Sequence, residues 1–493
     1  MKATNSTTFI VLVLVIFNFQ CVPPEDNWPQ FRGPNSSGVS DTEQDPPINF
    51  GPAENVLLKI ELPPGHSSPT IWGNYIFLTS FTEDDMVFKT LCFNRKNGNL
   101  LWSQDVSVNE IEKKIHAISN PANATVATDG ERIYAYFGSY GIICYDFNGK
   151  KIWDNPMPIP ETRHGMGTSP IVTNGMVILN FCNDSNGPNL LALDCINGNI
   201  VWKTDLPNTP SIFSPDGYST PVVWENEIII YRCGAIESYN IEDGSLIWWV
   251  TTNTDGVSTP VIGNNVLYVG TFSAVGDPEK HVDTPDYSGL LNEYDMNNDK
   301  KITEDEFPQD FIYVIRGDMG EEFLVNWNMV RDANKDGILD SIEWEKRRNF
   351  ALSYIAIHGL LAIKPGGKGD ISSTHVVWKV IKGVAEVPSP VYYDDHVYMI
   401  KNGGVISCVN AEDGTLDYHE RLGASGPYIS SPIAAGGKVF VVSRNGKITV
   451  LESGSEFKIL AKNDLDEIIM ATPAVVDNKL YVRTSEHLYA FGK

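Results

Sequence analysis

The sequence predicts an all-β fold, an eight-bladed β-propeller of four-stranded antiparallel blades, interrupted by a small α-helical insertion. Three observations predict it. A motif of two apolar runs around a polar turn recurs eight times, a second motif ending in Trp alternates with it, and one long acidic segment breaks the spacing. Units of about 40–50 residues with four short strands are typical of propeller blades.

The first motif places a small or hydroxyl residue, and then Pro, before its two apolar runs. Its eight copies begin at Ser67, Asn120, Thr168, Ser219, Ser258, Pro388, Ser430 and Ala471. The central turns carry Asn, Asp and Gly, which favour tight hairpins. The flanking runs are rich in Val, Ile and Tyr, which favour strands. Each copy therefore predicts one hairpin.

The second motif is a strand, a turn that ends in Gly and a further strand with an aromatic residue. Its aromatic positions are Trp102, Trp153, Trp202, Trp248, Trp378 and Tyr418. The Gly permits the positive φ that the turn needs, and we expect the aromatic ring to pack between blades. One position of this motif holds Cys92, Cys144 and Cys408, and other copies have Ala192, Ser238 and Ala362 there. This predicts a small buried slot and not a redox role.

The two ends of the chain are expected to close the ring. The last unit ends at residues 487–493 without a Trp strand, and an unmatched strand begins near Asn55, before the first motif. The early strand can complete the last blade. Closure of this kind protects sheet edges.

The N-terminus predicts export. Residues 1–20 read as a signal peptide, because the apolar run Phe9–Phe19 is too short to span a bilayer as a helix. The run ends at Cys21, as in a bacterial lipoprotein signal with Cys21 as the lipidated residue, although Gln20 stands where such signals prefer a small residue. The expected location is the periplasm or the outer membrane, and ordinary secretion is the alternative. Residues 21–54 would form a tether and leading segment.

The charge of the chain excludes nucleic acid as a partner. The sequence has 37 basic and 62 acidic residues and a net charge of −25. Such a field repels phosphate backbones and anionic lipid heads. Contact with a membrane is therefore expected only through a lipid on Cys21, and a protein partner is the expected kind of ligand.

The insertion lies between strands that end at Ala274 and begin at His358. These two strands are expected to be consecutive in the fifth blade, so that the insertion replaces one hairpin turn, where extra sequence is tolerated. The predicted segments are blades at 55–276, the insertion at 277–355 and further blades at 356–493.

Two 12-residue segments of the insertion match the EF-hand calcium loop. Calcium prefers six to eight oxygen ligands. In the first loop the ligands would be Asp295, Asn297, Asp299, the Lys301 carbonyl, Thr303 and Glu306. In the second they would be Asp332, Asn334, Asp336, the Ile338 carbonyl, Asp340 and Glu343. An acidic surface turn is the alternative for one loop, but two full matches favour two Ca²⁺ sites.

The segments around the loops predict how the pair folds. Helices are expected over 286–294, 305–315, 321–331 and 341–355. Ile302 fits the short β pairing that joins two such loops. The first loop has Lys300 where the second has Gly337, and a side chain there must accept a positive φ while its charge repels the ion. We therefore expect weaker binding at the first loop.

The repeat resembles the pyrroloquinoline-quinone-type propeller repeat, A-x-D-x-x-x-G-x-x-x-W. Residues 192–202 (ALDCINGNIVW) match it and 238–248 (SYNIEDGSLIW) approximate it, and the opening at Trp28–Ser40 is similar to the start of many exported bacterial proteins of this superfamily. The resemblance extends from Trp28 to the C-terminus, without the insertion. It implies relatives of two kinds, quinone-dependent alcohol dehydrogenases and BamB-like lipoprotein scaffolds.

The resemblance favours the scaffold. The enzymes commonly stack their quinone against a ring formed by two adjacent, disulfide-linked cysteines, and this sequence has no adjacent cysteines. Pyrroloquinoline quinone is therefore not expected, and the prediction is a non-catalytic, calcium-binding interaction scaffold. A quinone-dependent dehydrogenase or a carbohydrate-active protein that uses the channel is the alternative.

A candidate ligand surface lies at the mouth of the predicted channel. Residues before the Pro motifs should cluster there, namely Ser67, Thr168, Thr220, Thr259, Ser431 and Thr472. Nearby loops add His66, Arg163, His164, Tyr218 and Tyr428. The alternative is structural, because hydroxyls in such places often bond to backbone groups.

Overall fold

The computed structural model of this chain describes residues 27–40, 43–181, 187–207, 216–273, 284–308, 311–316, 321–325, 327, 332, 334–353, 357–424 and 426–493. The predicted signal peptide, Cys21 and Cys182 lie outside the described residues. Neither described helix is long and apolar enough to cross a membrane.

Short apolar strands joined by tight turns form eight sheets around a central channel. The first strand is β1 (Val56–Glu61). Blades one to four follow in chain order, with β2 (Thr70–Trp72), β3 (Tyr75–Thr82), β4 (Val87–Asn94) and β5 (Leu100–Ser107); β6 (Ala127–Thr128), β7 (Arg132–Phe137), β8 (Gly141–Asp146) and β9 (Lys151–Pro156); β10 (Ile171–Thr173), β11 (Met176–Phe181), β12 (Asn189–Asp194) and β13 (Ile200–Asp205); and β14 (Val222–Trp224), β15 (Glu227–Arg232), β16 (Ala235–Asn240) and β17 (Leu246–Thr251).

The fifth blade holds the insertion, and three further blades complete the ring. The bounds are β18 (Val261–Gly263), β19 (Val266–Thr271), α1 (Tyr287–Tyr294), β20 (Ile302–Thr303), β21 (Phe311–Arg316), β22 (Glu321–Val325), β23 (Ile338–Leu339), α2 (Ser341–Ser353), β24 (Gly359–Ile363), β25 (Gly369–Asp370) and β26 (Val376–Val380); β27 (Val391–Tyr393), β28 (His396–Lys401), β29 (Val405–Asn410) and β30 (Leu416–Arg421); β31 (Ile433–Ala435), β32 (Lys438–Val442), β33 (Lys447–Glu452) and β34 (Ile459–Asp464); and β35 (Ala474–Val476), β36 (Lys479–Arg483) and β37 (His487–Phe491). A short 3-10 helix spans Pro34–Ser36.

The ring closes through the two ends of the chain, as the sequence predicts. Strand β1 pairs antiparallel with β37, with Lys59 opposite Tyr489, and becomes the outer strand of the eighth blade. The prediction of eight four-stranded antiparallel blades is confirmed. Blade four carries the short β25 as an additional, parallel strand on β17.

The Trp of the second motif packs against the turn of the following blade. Trp102 Nε1 donates to the Phe147 carbonyl at 2.9 Å, and a Cβ added to Gly149 would lie 2.7 Å from the Trp102 ring. The same contacts join Trp153 to Gly198 and Trp202 to Gly244. These turn glycines therefore provide both a positive φ and the room for the neighbouring indole.

The small slot beside the aromatic residue is also confirmed. Cys92 is opposite Trp102, Cys144 is opposite Trp153, and both thiols are fully buried. Burial raises the pKa of Cys92 to about 12. Cys233, directly after β15, is also fully buried.

The register of the first motif differs from the prediction in blade two. Strand β6 begins at Ala127, so Val126 stands where the other blades have Pro, and Pro121 lies in the preceding loop. In blade two the Pro of the sequence motif therefore lies in the loop, whereas in the other blades Pro directly precedes the inner strand. The feature that all eight blades share is the hydroxyl residue two positions before that strand, which is Thr125 in blade two.

The insertion leaves the fifth blade where expected. Strand β19 pairs with β24, with Tyr268 opposite Ala362, so the insertion replaces the turn between two neighbouring strands. Among the described residues, two of its four predicted helices are present, α1 and α2, and Trp327, within the segment predicted as a helix over 321–331, is also helical. The segments predicted as helices over 305–315 and 321–331 instead contain β21 and β22, which form an antiparallel hairpin. The run Phe-Ile-Tyr-Val-Ile at 311–315 explains this, because aromatic and β-branched residues favour strands.

Candidate functional site

A closed ring of hydrogen bonds joins the eight blades at the channel. The residue two positions before each inner strand bears a hydroxyl, and its backbone N–H donates to the hydroxyl of the next blade at 2.9–3.2 Å. The ring runs through Ser68, Thr125, Ser169, Thr220, Thr259, Ser389, Ser431 and Thr472, and returns to Ser68. All eight residues are buried. These hydroxyls therefore serve the closure of the propeller.

The ring corrects part of the predicted channel mouth. Ser67 and Thr168 are one residue too early, and both are buried within the sheets. Ser67 Oγ accepts from the Thr79 N–H, and Thr168 Oγ1 donates to the Ser219 carbonyl. Tyr428 is also buried, with its hydroxyl on the Ala424 carbonyl at 2.7 Å. The structural reading of these residues is the correct one.

The opening segment of the chain, residues 27–40, lies inside the ring and is called the channel plug here. Trp28 forms two backbone hydrogen bonds with Ile71 in blade one, and Ser40 donates to Ala434 in blade seven. Between them the plug bonds to Thr128 in blade two, Val223 in blade four and Pro390 in blade six. The plug therefore ties five blades together.

A cavity of about 260 Å³ remains above the plug. Phe31 of the plug contributes to its lining. The polar part of the wall includes His66, His116, Arg163, His164 and Tyr218. Apolar side chains complete the lining, namely Ile118, Val257, Phe272, Val387, Ile429 and Met470. The polar lining includes seven residues that the sequence predicts at the channel mouth, namely His66, Arg163, His164, Tyr218, Thr259, Ser431 and Thr472, and it also includes His116, which the sequence did not indicate.

Arg163 is held by two carboxylates. Its Nη2 donates to Asp255 Oδ1 at 3.0 Å, and its backbone N–H donates to Asp216 Oδ2 at 3.0 Å. Tyr218 also donates to Asp216 Oδ2, at 2.7 Å. Burial by itself would lower the pKa of Arg163, but the hydrogen bond to Asp255 and the charge interactions with Asp255, Cys233 and Tyr218 together raise the pKa above its usual value. Arg163 is therefore a fixed cation in a compensated network.

The histidines of the cavity are close together. The rings of His116 and His164 meet edge to face with centroids 5.3 Å apart, and His164 lies 5.8 Å from Tyr218. Burial and the charge of Arg483 lower the pKa of His66 to about 4. Neutral imidazoles offer both a donor and an acceptor. The cavity wall is therefore suited to hydrogen bonding with a polar group.

The two acidic loops have the same internal hydrogen bonds. Asp295 accepts the N–H of Asp299 at 3.1 Å and that of Lys300 at 2.9 Å. In the second loop Asp332 accepts the N–H of Asp336 at 3.2 Å and that of Gly337 at 2.8 Å. The side chains of Asn297, Asp299, Asn334 and Asp336 also accept matching backbone N–H groups two residues on. Both loops therefore curl around their first Asp.

The sixth position of each loop has the expected backbone. Lys300 has φ 63° and Gly337 has φ 79°. An L-residue in this region is strained, so the first loop carries a cost that the second avoids.

The loops are joined by the short sheet of β20 and β23, in which Ile302 is opposite Leu339. The buried side chains of Leu290, Phe307, Trp327 and Trp344 pack around it. Glu306, which closes the first loop, accepts from the N–H and hydroxyl of Thr303, and these bonds lower its pKa. Glu343 accepts the N–H of Asp340 at 3.3 Å. Each closing Glu thus faces back into its own loop. Along the chain, the predicted ligands Lys301 and Thr303 precede Glu306, and the predicted ligands Ile338 and Asp340 precede Glu343.

A family comparison covers most of the propeller. Residues 87–276 and 369–491 match the family model described as outer membrane protein assembly factor BamB. The unmatched stretch between them contains the insertion. No curated protein matches the chain.

Solved structures share the fold at low identity. BamB from Moraxella catarrhalis has a TM-score of 0.54 at 11% identity, over 89% of this chain and 97% of its own. A europium-containing methanol dehydrogenase has 0.56 at 12%, over 95% and 98%. The computationally designed Ika8 protein has 0.54 at 9%, over 89% and 100%. BamB, a methanol dehydrogenase and a computationally designed protein thus share this architecture, so fold alone does not decide function.

Proposed function

The chain belongs to the family of outer membrane protein assembly factor BamB, and from this premise we propose that it is an exported, calcium-binding propeller that acts as a non-catalytic interaction scaffold at the bacterial cell envelope. The insertion would bind two Ca²⁺ ions, and a protein would be the partner. The observation that carries this proposal is the matched pair of acidic loops.

Donor chemistry supports calcium. Each loop offers carboxylate, amide and carbonyl oxygens in the order that a hard cation prefers, and each ends in a Glu that can bind through both oxygens. Asp295 and Asp332 already accept two backbone N–H groups each, which orients the loop before an ion binds. Extracellular modules bind calcium at about 10⁻⁴–10⁻³ M, so a structural role for the ions is favoured.

The channel supports binding more than turnover. The plug fills one part of the ring, and its bonds to five blades hold it there. Arg163 is compensated by Asp216 and Asp255. The cavity above the plug thus offers a rigid surface of hydrogen-bonding groups, which suits the docking of a partner segment.

Calorimetric titration with CaCl₂ tests the calcium sites. We expect two binding events in the unaltered protein. Glu343→Gln should remove the tighter event and Glu306→Gln the weaker one, because each removes a closing ligand. Asp305→Asn is the matched control, since Asp305 is an exposed acid in the first loop at a position that does not ligate. Loss of calcium binding in the control, or two events in both Glu variants, would contradict the assignment.

The enzyme alternative has its own test. Purified protein would be mixed with pyrroloquinoline quinone and Ca²⁺, and its absorbance and dye-coupled alcohol oxidation recorded. The scaffold predicts free quinone and no oxidation. A bound chromophore with alcohol oxidation would establish the dehydrogenase instead.

A further inference from the structure

Blade six brings together three side chains with metal-binding chemistry. His396 begins β28, Cys408 lies in β29 and Asp417 lies in β30. His396 Nε2 is 3.5 Å from Asp417 Oδ2, and Cys408 Sγ is 4.0 Å from the same oxygen. The three donor atoms all lie within 4.8 Å of one another. This cluster is remote in sequence from the acidic loops and is independent of the proposed function.

The imidazole is oriented for ligation. His396 Nδ1 is hydrogen-bonded to the Asp394 carbonyl. A carbonyl only accepts, so Nδ1 carries a proton, and in the neutral imidazole the lone pair lies on Nε2, the nitrogen nearest Asp417 and Cys408. Metal-binding histidines are commonly fixed in this way by a carbonyl or carboxylate on the other ring nitrogen.

Asp417 departs from the pattern of the other blades. It occupies the bulge opposite the small slot, where the pairing of the third and fourth strands shifts by one residue. The same bulge holds an aliphatic residue in the seven other blades, namely Leu57, Leu101, Ile152, Val201, Ile247, Val377 and Leu460.

Asp417 is also less exposed than most of these aliphatic residues. Leu57, Leu101, Ile152, Val201 and Val377 are 44–58% exposed, whereas Asp417, like Ile247 and Leu460, is half-buried, and its Oδ2 lies 4.0 Å from the Cys408 sulfur. Withdrawing a carboxylate from water is costly unless a partner compensates it. The repeat itself does not require an acid at this position.

We propose that His396, Cys408 and Asp417 form a binding site for a divalent transition metal ion, Zn²⁺ in particular. The site lies between blades six and seven, where Cys408 Sγ is 3.5 Å from the Gly454 carbonyl oxygen. Imidazole, thiolate and carboxylate are the donors that Zn²⁺ accepts in proteins.

The distances are near those of tetrahedral ligation. Bonds of about 2.0–2.3 Å place tetrahedral ligands roughly 3.3–3.8 Å apart. Asp417 Oδ2 lies 3.5 Å from His396 Nε2 and 4.0 Å from Cys408 Sγ, and all three atoms lie within 4.8 Å of one another, so small side-chain rotations would bring them to an ion. The thiol releases its proton to solvent when it binds the ion. The side chains of His396 and Asp417 are 15% and 16% exposed, which leaves a route for the ion, and water would take the fourth position.

Cobalt(II) is the probe, because a thiolate bound to Co²⁺ gives a charge-transfer band in the near ultraviolet. The full chain would be titrated with Co²⁺ in excess Ca²⁺, which keeps the acidic loops occupied, and then with Zn²⁺. We expect a band that saturates at one equivalent and disappears when Zn²⁺ replaces Co²⁺. Cys408→Ala should abolish the band, and it should fold, since Ala192 and Ala362 occupy this slot in other blades.

Two further variants separate ligation from structure. Asp417→Val introduces the residue of blades three and five, and should weaken Co²⁺ binding at least about tenfold. Cys92→Ala and Cys144→Ala remove thiols from the same slot in other blades and should leave the band unchanged. No band in the unaltered protein, or a band that survives Cys408→Ala, would overturn the proposal and leave an ordinary His–Asp ion pair beside a buried thiol.

Discussion

The ring of hydroxyls at the channel predicts a defined loss of stability at Thr259. Thr259 Oγ1 accepts the N–H of Thr220 at 3.1 Å, and both residues are buried. Valine has the shape of threonine without the acceptor, so Thr259→Val leaves the Thr220 N–H unpaired. A buried amide that loses its partner costs about 1–3 kcal/mol.

Equilibrium urea unfolding, followed by Trp fluorescence in excess Ca²⁺, measures this loss. Thr259→Ser is the matched control, because Ser68, Ser169, Ser389 and Ser431 occupy the same place in other blades. Serine keeps the oxygen and loses one methyl group, about 0.8 kcal/mol. The valine variant should therefore be the less stable of the two. A valine variant as stable as the unaltered protein would refute the role of these hydrogen bonds in closing the ring.

Two further predictions concern buried groups. Burial raises the pKa of Glu112 to about 7 from 4.5, so the native state becomes less stable as pH rises from about 4.5 to 7, where the unfolded chain ionises and the native chain does not. Urea unfolding across this range should show that the free energy of unfolding of Glu112→Gln rises relative to that of the unaltered protein as the pH rises, by on the order of 3 kcal/mol above pH 7. A difference that does not change with pH would contradict the raised pKa. Trp28 is 1% exposed and anchors the channel plug, so Trp28→Ala should lower the free energy of unfolding by about 3–5 kcal/mol. Phe31→Ala, which truncates a less buried ring of the same plug, should cost less, and equal losses would show that Trp28 is not the anchor.

The blades were predictable because their signals are local. Alternating apolar runs, turn glycines and a Trp after each turn specify hairpins from neighbouring residues, and each blade packs only on its neighbours. The closing strand from Asn55 was predictable for a related reason, since it is the one strand without a hairpin partner. The helix predicted over 305–315 and the first part of the helix predicted over 321–331 are wrong, because the residue types there favour strands although the apolar spacing also fits a helix.

The candidate site was predictable only in part. His66, Arg163, His164 and Tyr218 were placed at the channel because they sit beside the inner strands. His116 lies in a long loop, where no repeated motif indicates its position. Ser67 and Thr168 each stand one residue before the hydroxyl residue that bonds across the ring, Ser68 or Ser169, and both have a hydroxyl themselves. Thr125 distinguishes the two positions, because blade two keeps a hydroxyl there although Val126 replaces the Pro that follows in the other blades.

The sequence by itself determined the repeat, the closure of the ring, the place of the insertion and the order of oxygen donors in its two loops. These properties depend on residues that are near in the chain or are repeated at a fixed spacing. The tertiary structure alone decided that hydroxyls of adjacent blades bond in a closed ring, that residues 27–40 fill the channel, and that Asp417 turns towards Cys408 and His396. Those contacts join side chains whose partners are set by the packing of whole blades, and no local pattern of residues records that packing.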